Sequence, residues 1–228
     1  MRFTLSITSL RTLLALASLF TVATLAAQNG TQVLDSSALK PPAGARVAIV
    51  EFYDLECPAC AHANPTIVSA AQKYKIPLVR HDFVIPGHQW SPTAALNARW
   101  FDSKSKALGD EYRDQVFANQ NRTIYNVDTL RQFTDNFAKA HGIAMPFSID
   151  PQGQLNAAIQ SEMQIGTRTG IHGTPTIFIA IANSKGAPYI EVKAVDKDLY
   201  TSIDQAFALA GPPVQAPAAA PVKKPAHK

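Results

Sequence analysis

Cys57-Pro58-Ala59-Cys60 contains both cysteines of the chain and follows an apolar run of strand length, Val47-Ala48-Ile49-Val50-Glu51-Phe52-Tyr53. Residues 59–74 are rich in alanine and suit a helix, so the cysteine pair stands where a strand becomes a helix. Pro58 fits the first helical position, because it has no N–H to leave unpaired and its φ is already helical. Cys57 then falls at or beside the N-cap. There its sulfur faces free backbone N–H groups and the positive end of the helix dipole, and both favour thiolate over thiol. Cys60, three positions on, shares a helix face with Cys57 and can close a disulfide onto it. The expectation is an exposed attacking sulfur at Cys57 and a covered resolving thiol at Cys60, which is the arrangement of dithiol–disulfide exchange.

Two other uses of such a pair are weaker. Half a zinc site needs further ligands, but the chain has no third cysteine, and His62 is too close in sequence to complete a tetrahedron easily. A purely structural disulfide closing so small a loop would constrain the unfolded chain little. No haem, flavin, nucleotide or metal motif is present, so no cofactor is expected and the cysteine pair is read as the whole redox centre.

Residues 1–27 read as a secretory signal, with Arg2 and Arg11 as the positive flank, an apolar stretch over 13–25 and small residues at Ala26 and Ala27 for cleavage. The competing reading, a retained anchor, is weakened by the shortness of the apolar run and the lack of a cysteine to accept a lipid. Export to a periplasm or cell envelope would place the cysteines where a disulfide persists. About 200 residues then remain, enough for one well-buried domain or a domain with an insertion. The formal charge of +4 is not a property of that domain, since residues 28–210 carry 16 basic and 17 acidic side chains. Near neutrality there is no electrostatic case for a nucleic-acid partner.

The chain then orders itself around the cysteine strand. Residues 28–44 form an extension with a short possible strand at 31–34 and a turn at Lys40-Pro41-Pro42-Ala43-Gly44; there is no room here for a separate N-terminal domain. Pro65 interrupts the first helix and is expected to kink it. A second strand is expected over 76–85, less deeply buried because it contains Arg80, His81 and Asp82. Helices follow at 94–101 behind a Ser91-Pro92 cap, at 110–117, at 128–141 with Asp128 as cap and Gly142 as stop, and at 151–166, so that a helical block occupies about 90–168. Leu130, Phe133, Phe137 and Ala140 repeat at helical spacing and read as core, as do Trp90, Trp100, Phe101 and Tyr112. A Gly173-Thr174-Pro175 turn opens a third strand reaching Ile179, a fourth runs over 189–195, and a last helix over 197–209. Sequence alone leaves the isomer of the Thr174–Pro175 bond open. From residue 211 the Pro- and Ala-rich tail is expected to be disordered.

Glu51 is the anomaly in the first strand. Alternation places it on the face of Ile49 and Tyr53, where it is either an edge-exposed glutamate or a buried carboxyl of raised pKa able to carry the proton of Cys60. Asp54 and Glu56, in the turn before Cys57, read as solvated negative charges that oppose the thiolate.

A strand, CxxC at a helix tip, a second strand, a Thr-Pro strand start, a hairpin and a final helix resemble the thioredoxin fold over about residues 45–210. The intervening helical block resembles the insertion of the DsbA-like periplasmic thiol–disulfide oxidoreductases. Glu51-Phe52-Tyr53 with the CxxC, and Gly173-Thr174-Pro175-Thr176, carry the likeness. The resemblance implies an α/β thioredoxin-like fold and a cis bond before Pro175, with the proline lying against the cysteines. It also implies a substrate chain bound at Pro58, Ala59, Thr174 and Pro175, and Glu51 buried below Cys60 as its proton relay. Pro65 resembles the kink proline of thioredoxin. The implied activity is protein thiol–disulfide exchange by a monomer, foremost as an oxidase of exported thiol proteins. Such an oxidase would be reoxidised by a membrane partner of the DsbB or vitamin K epoxide reductase type. A reductase or isomerase is the alternative, and a redox-inert peptide-binding or chaperone module the third reading. Two departures bear on the direction of flow. Ala59 stands where strongly oxidising members carry histidine and, with Asp54 and Glu56 nearby, Cys57 is expected to be acidic but less so than the ~3.5 of DsbA; Thr174, where the best-known oxidases carry valine, points the same way and leaves a reductase or isomerase role open. His172 lies near this groove in sequence and is read as surface.

Overall fold

The computed structural model describes residues 30–213. The signal-like segment and residues 214–228 of the tail lie outside the described residues. In chain order the elements are β1 (Val47–Tyr53), α1 (Pro58–Tyr74), β2 (Leu78–Asp82), α2 (Ser91–Asp102), α3 (Lys106–Asn119), α4 (Val127–Ala140), α5 (Gln154–Thr169), β3 (Thr176–Ile181), β4 (Tyr189–Val192) and α6 (Val195–Leu209). The strands form one mixed sheet in the order β2-β1-β3-β4, with β1 parallel to β2 and antiparallel to β3, and β3 antiparallel to β4. This is an α/β thioredoxin-like fold with a helical insertion, α2–α5, between β2 and β3.

β1 is central, and all seven of its residues are buried. Its odd-numbered positions Val47 and Ile49 meet Ala63, Ile67 and Ala70 of α1 and Leu199, Ile203 and Ala206 of α6, forming the core on one face of the sheet. Its even-numbered positions Val50 and Phe52 meet Phe178, Ala180 and Ile171 on the other. The period-2 alternation of a strand covered on both faces thus reads directly onto two cores. On the second face α5 comes so close that a β-carbon at Gly166 would collide with the rings of Phe83 and Phe52. A third cluster joins Tyr53, Leu55, Cys57 and Cys60 to Trp90, Trp100, Phe101, Tyr112, Leu130 and Phe137 of the insertion. The end of β1 and the cysteine turn are therefore packed by the insertion as well as by the sheet.

Several local expectations are revised. Residues 31–34 form no strand; Thr31 donates from its backbone N and its Oγ1 to the carboxylate of Glu191, a side chain where a ladder would need a backbone partner. β2 stops at Asp82, before the predicted end at Ile85, because Asp54 takes the Ile85 N–H. The N-cap of α2 is Trp90, not Ser91. The carboxylate of Glu56 reaches across to accept from Trp90 N at 2.7 Å and Ser91 N at 2.9 Å, doing the capping from another segment. α4 is capped by Asn126 in a reciprocal box with Thr129, which leaves Asp128 in the first turn, where its charge suits the dipole. Ala140 is exposed, and Thr134 and Ala138 take the inward positions. α1 runs through Pro65 without interruption as far as Lys75, whose left-handed φ of 53° ends it.

Between β2 and the insertion lies a layer of paired charge that the apolar pattern gave no reason to expect. Arg113 of α3, 3% exposed, donates to Tyr53 Oη at 2.7 Å and forks onto both carboxylate oxygens of Asp102 at 2.8 and 2.6 Å. Tyr53 in turn donates to Asp82 at 2.5 Å, and Asp82 also accepts from Arg99 Nε at 2.6 Å. Removing Arg113 leaves the Asp102 carboxylate without its partner and Tyr53 Oη without its donor, while the Tyr53–Asp82–Arg99 chain remains; stranding part of a buried charge layer is more costly than the pair itself is favourable. Arg113→Ala is therefore expected to lower the stability of the folded chain by about 3–5 kcal/mol, read as a fall in the urea midpoint with unchanged slope. Arg113→Met, which restores apolar volume, should cost less.

Candidate functional site

The sheet delivers Cys57 to the end of β1, and the turn that carries it is held by its own backbone and by Asp54. Asp54 Oδ1 accepts from Glu56 N at 2.7 Å, its Oδ2 accepts from Ile85 N at 2.7 Å, and His88 Nδ1 lies 3.0 Å from Oδ2. Asp54 is buried, which corrects the expectation of a solvated carboxylate: these groups replace water around it. Cys57 N donates to the Asp54 carbonyl at 3.1 Å, closing the turn. From the insertion, Gln120 Nε2 donates to the carbonyls of Leu55 at 2.6 Å and Cys57 at 3.3 Å. Neither Gln120 nor the capping role of Glu56 was found by sequence reasoning, since both act on backbone atoms distant in sequence.

Cys57 is the N-cap of α1, with φ −74° and ψ 118°, and its Sγ accepts from Cys60 N at 3.4 Å. Both thiols are reduced. Contrary to the expectation of an exposed sulfur, Cys57 is only 7% exposed and Cys60 not at all. The cover over Cys57 comes from the loop before β3, where the Thr174–Pro175 bond is cis and the Thr174 carbonyl oxygen accepts from Sγ at 3.3 Å. Pro58 and Ala59 beside it are exposed, Thr174 and Pro175 are half-buried, and His172 is exposed. Pro58, Ala59 and the 173–175 loop thus surround a nearly closed sulfur.

The electrostatics separate the two sulfurs. Hydrogen bonding from Cys60 lowers the Cys57 pKa to about 5, against the opposing effect of burial; the Thr174 side chain and the backbone N–H groups of Ala59 and Cys60 add to the lowering. The Thr174 hydroxyl is buried beside the site with no hydrogen-bond partner. For Cys60 burial pushes the thiol far up, and the Cys57 thiolate beside it pushes the same way. One sulfur is thus held as thiolate while the other keeps its proton.

Glu51 is fully buried on the α1 face, opposite Arg80 of β2 and Ile177 of β3. Its Oε2 accepts from Arg80 Nε at 3.3 Å, and its Oε1 has no partner. Burial raises its pKa above the usual carboxylate range, with Arg80 only partly offsetting this and the charge of Cys57 adding to it. Arg80 was read in sequence as a sign of a half-exposed strand; it is instead buried, because Glu51, Asn64 and Asp114 satisfy its guanidinium. Among the described residues no cluster of histidine, cysteine and carboxylate side chains could hold a metal ion.

With this geometry in place, the comparisons with known proteins are specific. A scan against protein-family models matches the Thioredoxin_4 family, described as Thioredoxin, over residues 43–191. No curated protein matches. Among solved structures, oxidised BdbD from Bacillus subtilis is similar with a TM-score of 0.59 at 18% identity, over 77% of this chain and 94% of that one. Alpha-DsbA1 from Wolbachia pipientis gives 0.58 at 14% identity, over 72% and 87%. A periplasmic thioredoxin-like protein from Salmonella enterica serovar Typhimurium gives 0.57 at 21%, over 77% and 94%. At these identities the likeness is one of fold.

The Cys57 pKa has two measurable consequences. Thiolate absorbance of the reduced protein should titrate with a midpoint near 5, and Cys60→Ala should move that midpoint upward by removing the leading donor. Because the folded pKa lies below the unfolded value, the thiolate stabilises the reduced fold most above pH 9, and that stabilisation is lost as pH falls towards 5. The stability difference between reduced protein and Cys57→Ala should therefore shrink across that window on acidification.

Proposed function

The chain belongs to the Thioredoxin_4 family and is a thiol–disulfide oxidoreductase of the DsbA-like kind with Cys57–Cys60 as its redox pair, and from that premise we propose that it acts as an oxidase, donating this disulfide to exported protein thiols. The observation that carries the direction is the thiolate held at Cys57 by Cys60 and the helix N-terminus. Whatever stabilises the thiolate stabilises the reduced enzyme, and so makes its disulfide the better oxidant. The signal-like start of the sequence supports an extracytoplasmic location, where such a disulfide would persist.

In this reaction a substrate thiolate attacks Cys57 Sγ, the Cys57–Cys60 bond breaks and a mixed disulfide forms. Cys60 leaves with the electron pair and takes a proton from the Glu51 carboxyl, whose charge acts on Cys60. A second substrate thiolate attacks the substrate sulfur of the mixed disulfide and expels Cys57 as the stable thiolate. The substrate has lost two electrons to the enzyme pair, which a membrane oxidase of the DsbB or vitamin K epoxide reductase type would reoxidise. Pro58, Ala59, Thr174 and Pro175 are the surface on which the substrate chain rests. Reduction uses the same steps in reverse, and isomerisation pairs attack by the Cys57 thiolate on a wrong substrate disulfide with its later expulsion by another substrate thiolate, with no net electron transfer; Ala59, which supplies no donor to the thiolate, keeps these roles within reach.

Mixing oxidised protein with an equal amount of a reduced dithiol peptide should yield peptide disulfide and reduced Cys57 and Cys60. Cys57→Ser should abolish the transfer, and Cys60→Ser should accumulate the mixed disulfide when reacted from an activated Cys57. If the reduced protein rescues a scrambled substrate while its disulfide form oxidises nothing, the oxidase direction is wrong; full function in the double serine variant would point to a redox-inert binding module.

A further inference from the structure

Arg80 is shared. Its side chain is 4% exposed, and its Nε meets Glu51 Oε2 at 3.3 Å, but its Nη2 makes the shorter bonds, 2.8 Å to Asp114 Oδ1 and 2.6 Å to Asn64 Oδ1. Asn64 Nδ2 donates to the same Asp114 oxygen at 3.2 Å, so Arg80, Asn64 and Asp114 form a closed triangle with Glu51 attached at one corner. Asp114 belongs to α3, is 34% exposed, and lines a cleft of about 460 Å³ with Arg80, Asp110, Lys106 and Gln72. One guanidinium thus spans the buried Glu51 carboxyl and a carboxylate at the solvent edge.

We propose that Asp114 is a positioning residue for the exchange reaction: by holding Arg80 it keeps Glu51 in its acid form, ready to protonate Cys60. This rests on the reading of Glu51 as proton carrier. Arg80 given wholly to Glu51 would favour the carboxylate and leave no proton to donate. Bound to Asp114 as well, Arg80 is partly neutralised, and the Asp114 charge itself opposes a second negative charge at Glu51; burial acts in the same direction. The other charged or titratable groups acting on Glu51 are few. Cys57 and Cys60 of α1 interact with its charge, β3 presents Ile177, the neutral Asn64 meets Arg80, and α3 presents Asp110 at 3.8 Å from Arg80. Arg113 is engaged by Tyr53 and Asp102. When the Cys57–Cys60 bond breaks, the Glu51 O–H proton passes to Cys60 and Arg80 faces the carboxylate that results.

The test is Asp114→Asn in the otherwise unaltered chain, which keeps an oxygen for Arg80 and Asn64 but removes the charge. Carboxyl carbon NMR of oxidised protein, with the Glu51 signal assigned by Glu51→Gln, should show the Glu51 midpoint fall by about one pH unit, a tenfold loss of proton affinity. Asp114→Glu should restore it. An unchanged midpoint in Asp114→Asn overturns the proposal. The rate of mixed-disulfide formation per attacking thiolate should decline with rising pH, and that decline should move to lower pH in Asp114→Asn by the same amount. If the midpoint moves but Glu51→Gln leaves the rate profile intact, the sharing of Arg80 stands and the proton-carrier reading fails. If Glu51→Gln abolishes the pH dependence while Asp114→Asn shifts nothing, the carrier stands and the role of Asp114 is overturned.

Discussion

One sulfur caps a helix and is also the atom that reacts. Cys57 Sγ accepts the Cys60 N–H at the start of α1, so the sulfur supplies the cap of that helix's first turn. A thiolate accepts better than a thiol, and a disulfide sulfur accepts poorly. Folding of α1 and the redox state of the pair are therefore coupled through the same few atoms. The rest of the molecule serves to hold this cap: β1 delivers it, Asp54 and Gln120 fix the turn before it, and the cis-proline loop closes over it.

The insertion contributes more than bulk. It covers Cys57 and Cys60 with the Trp90, Phe101 and Tyr112 cluster, and it supplies Gln120 to the active turn and Asp114 to the arginine that faces Glu51. Low accessibility around the cysteines strengthens each electrostatic effect there, raising Cys60 and Glu51 while hydrogen bonds bring Cys57 down. Burial alone would raise all three. The difference between the two cysteines comes from donors aimed at one sulfur only.

Much of this was legible in sequence because it rests on local rules. The apolar β1, the proline after Cys57 and the Gly173-Thr174-Pro175 turn each encode their structure within a few residues. Together they carried the family likeness. What sequence missed acts across long separations. Arg80 looked like a sign of exposure, yet cross-strand register sets it opposite Glu51, and register belongs to the whole sheet. Asp54 and Glu56 looked solvated, yet each is taken up by backbone N–H groups more than thirty residues away in sequence, at Ile85, Trp90 and Ser91. The family likeness placed the Pro175 loop against the cysteines, but how completely that loop, 117 positions downstream, covers Cys57 had no local sign.

The central claim is that stabilisation of the Cys57 thiolate sets the oxidising power of the pair. Equilibrating the protein with glutathione buffers and quantifying reduced Cys57 and Cys60 measures this directly. A Cys57 pKa of about 5 lies between those of thioredoxin at ~7 and DsbA at ~3.5, so the potential should lie between their ~−270 and ~−120 mV. A potential at or below that of thioredoxin would contradict the account, because the stabilised thiolate would then be doing nothing to favour the reduced form.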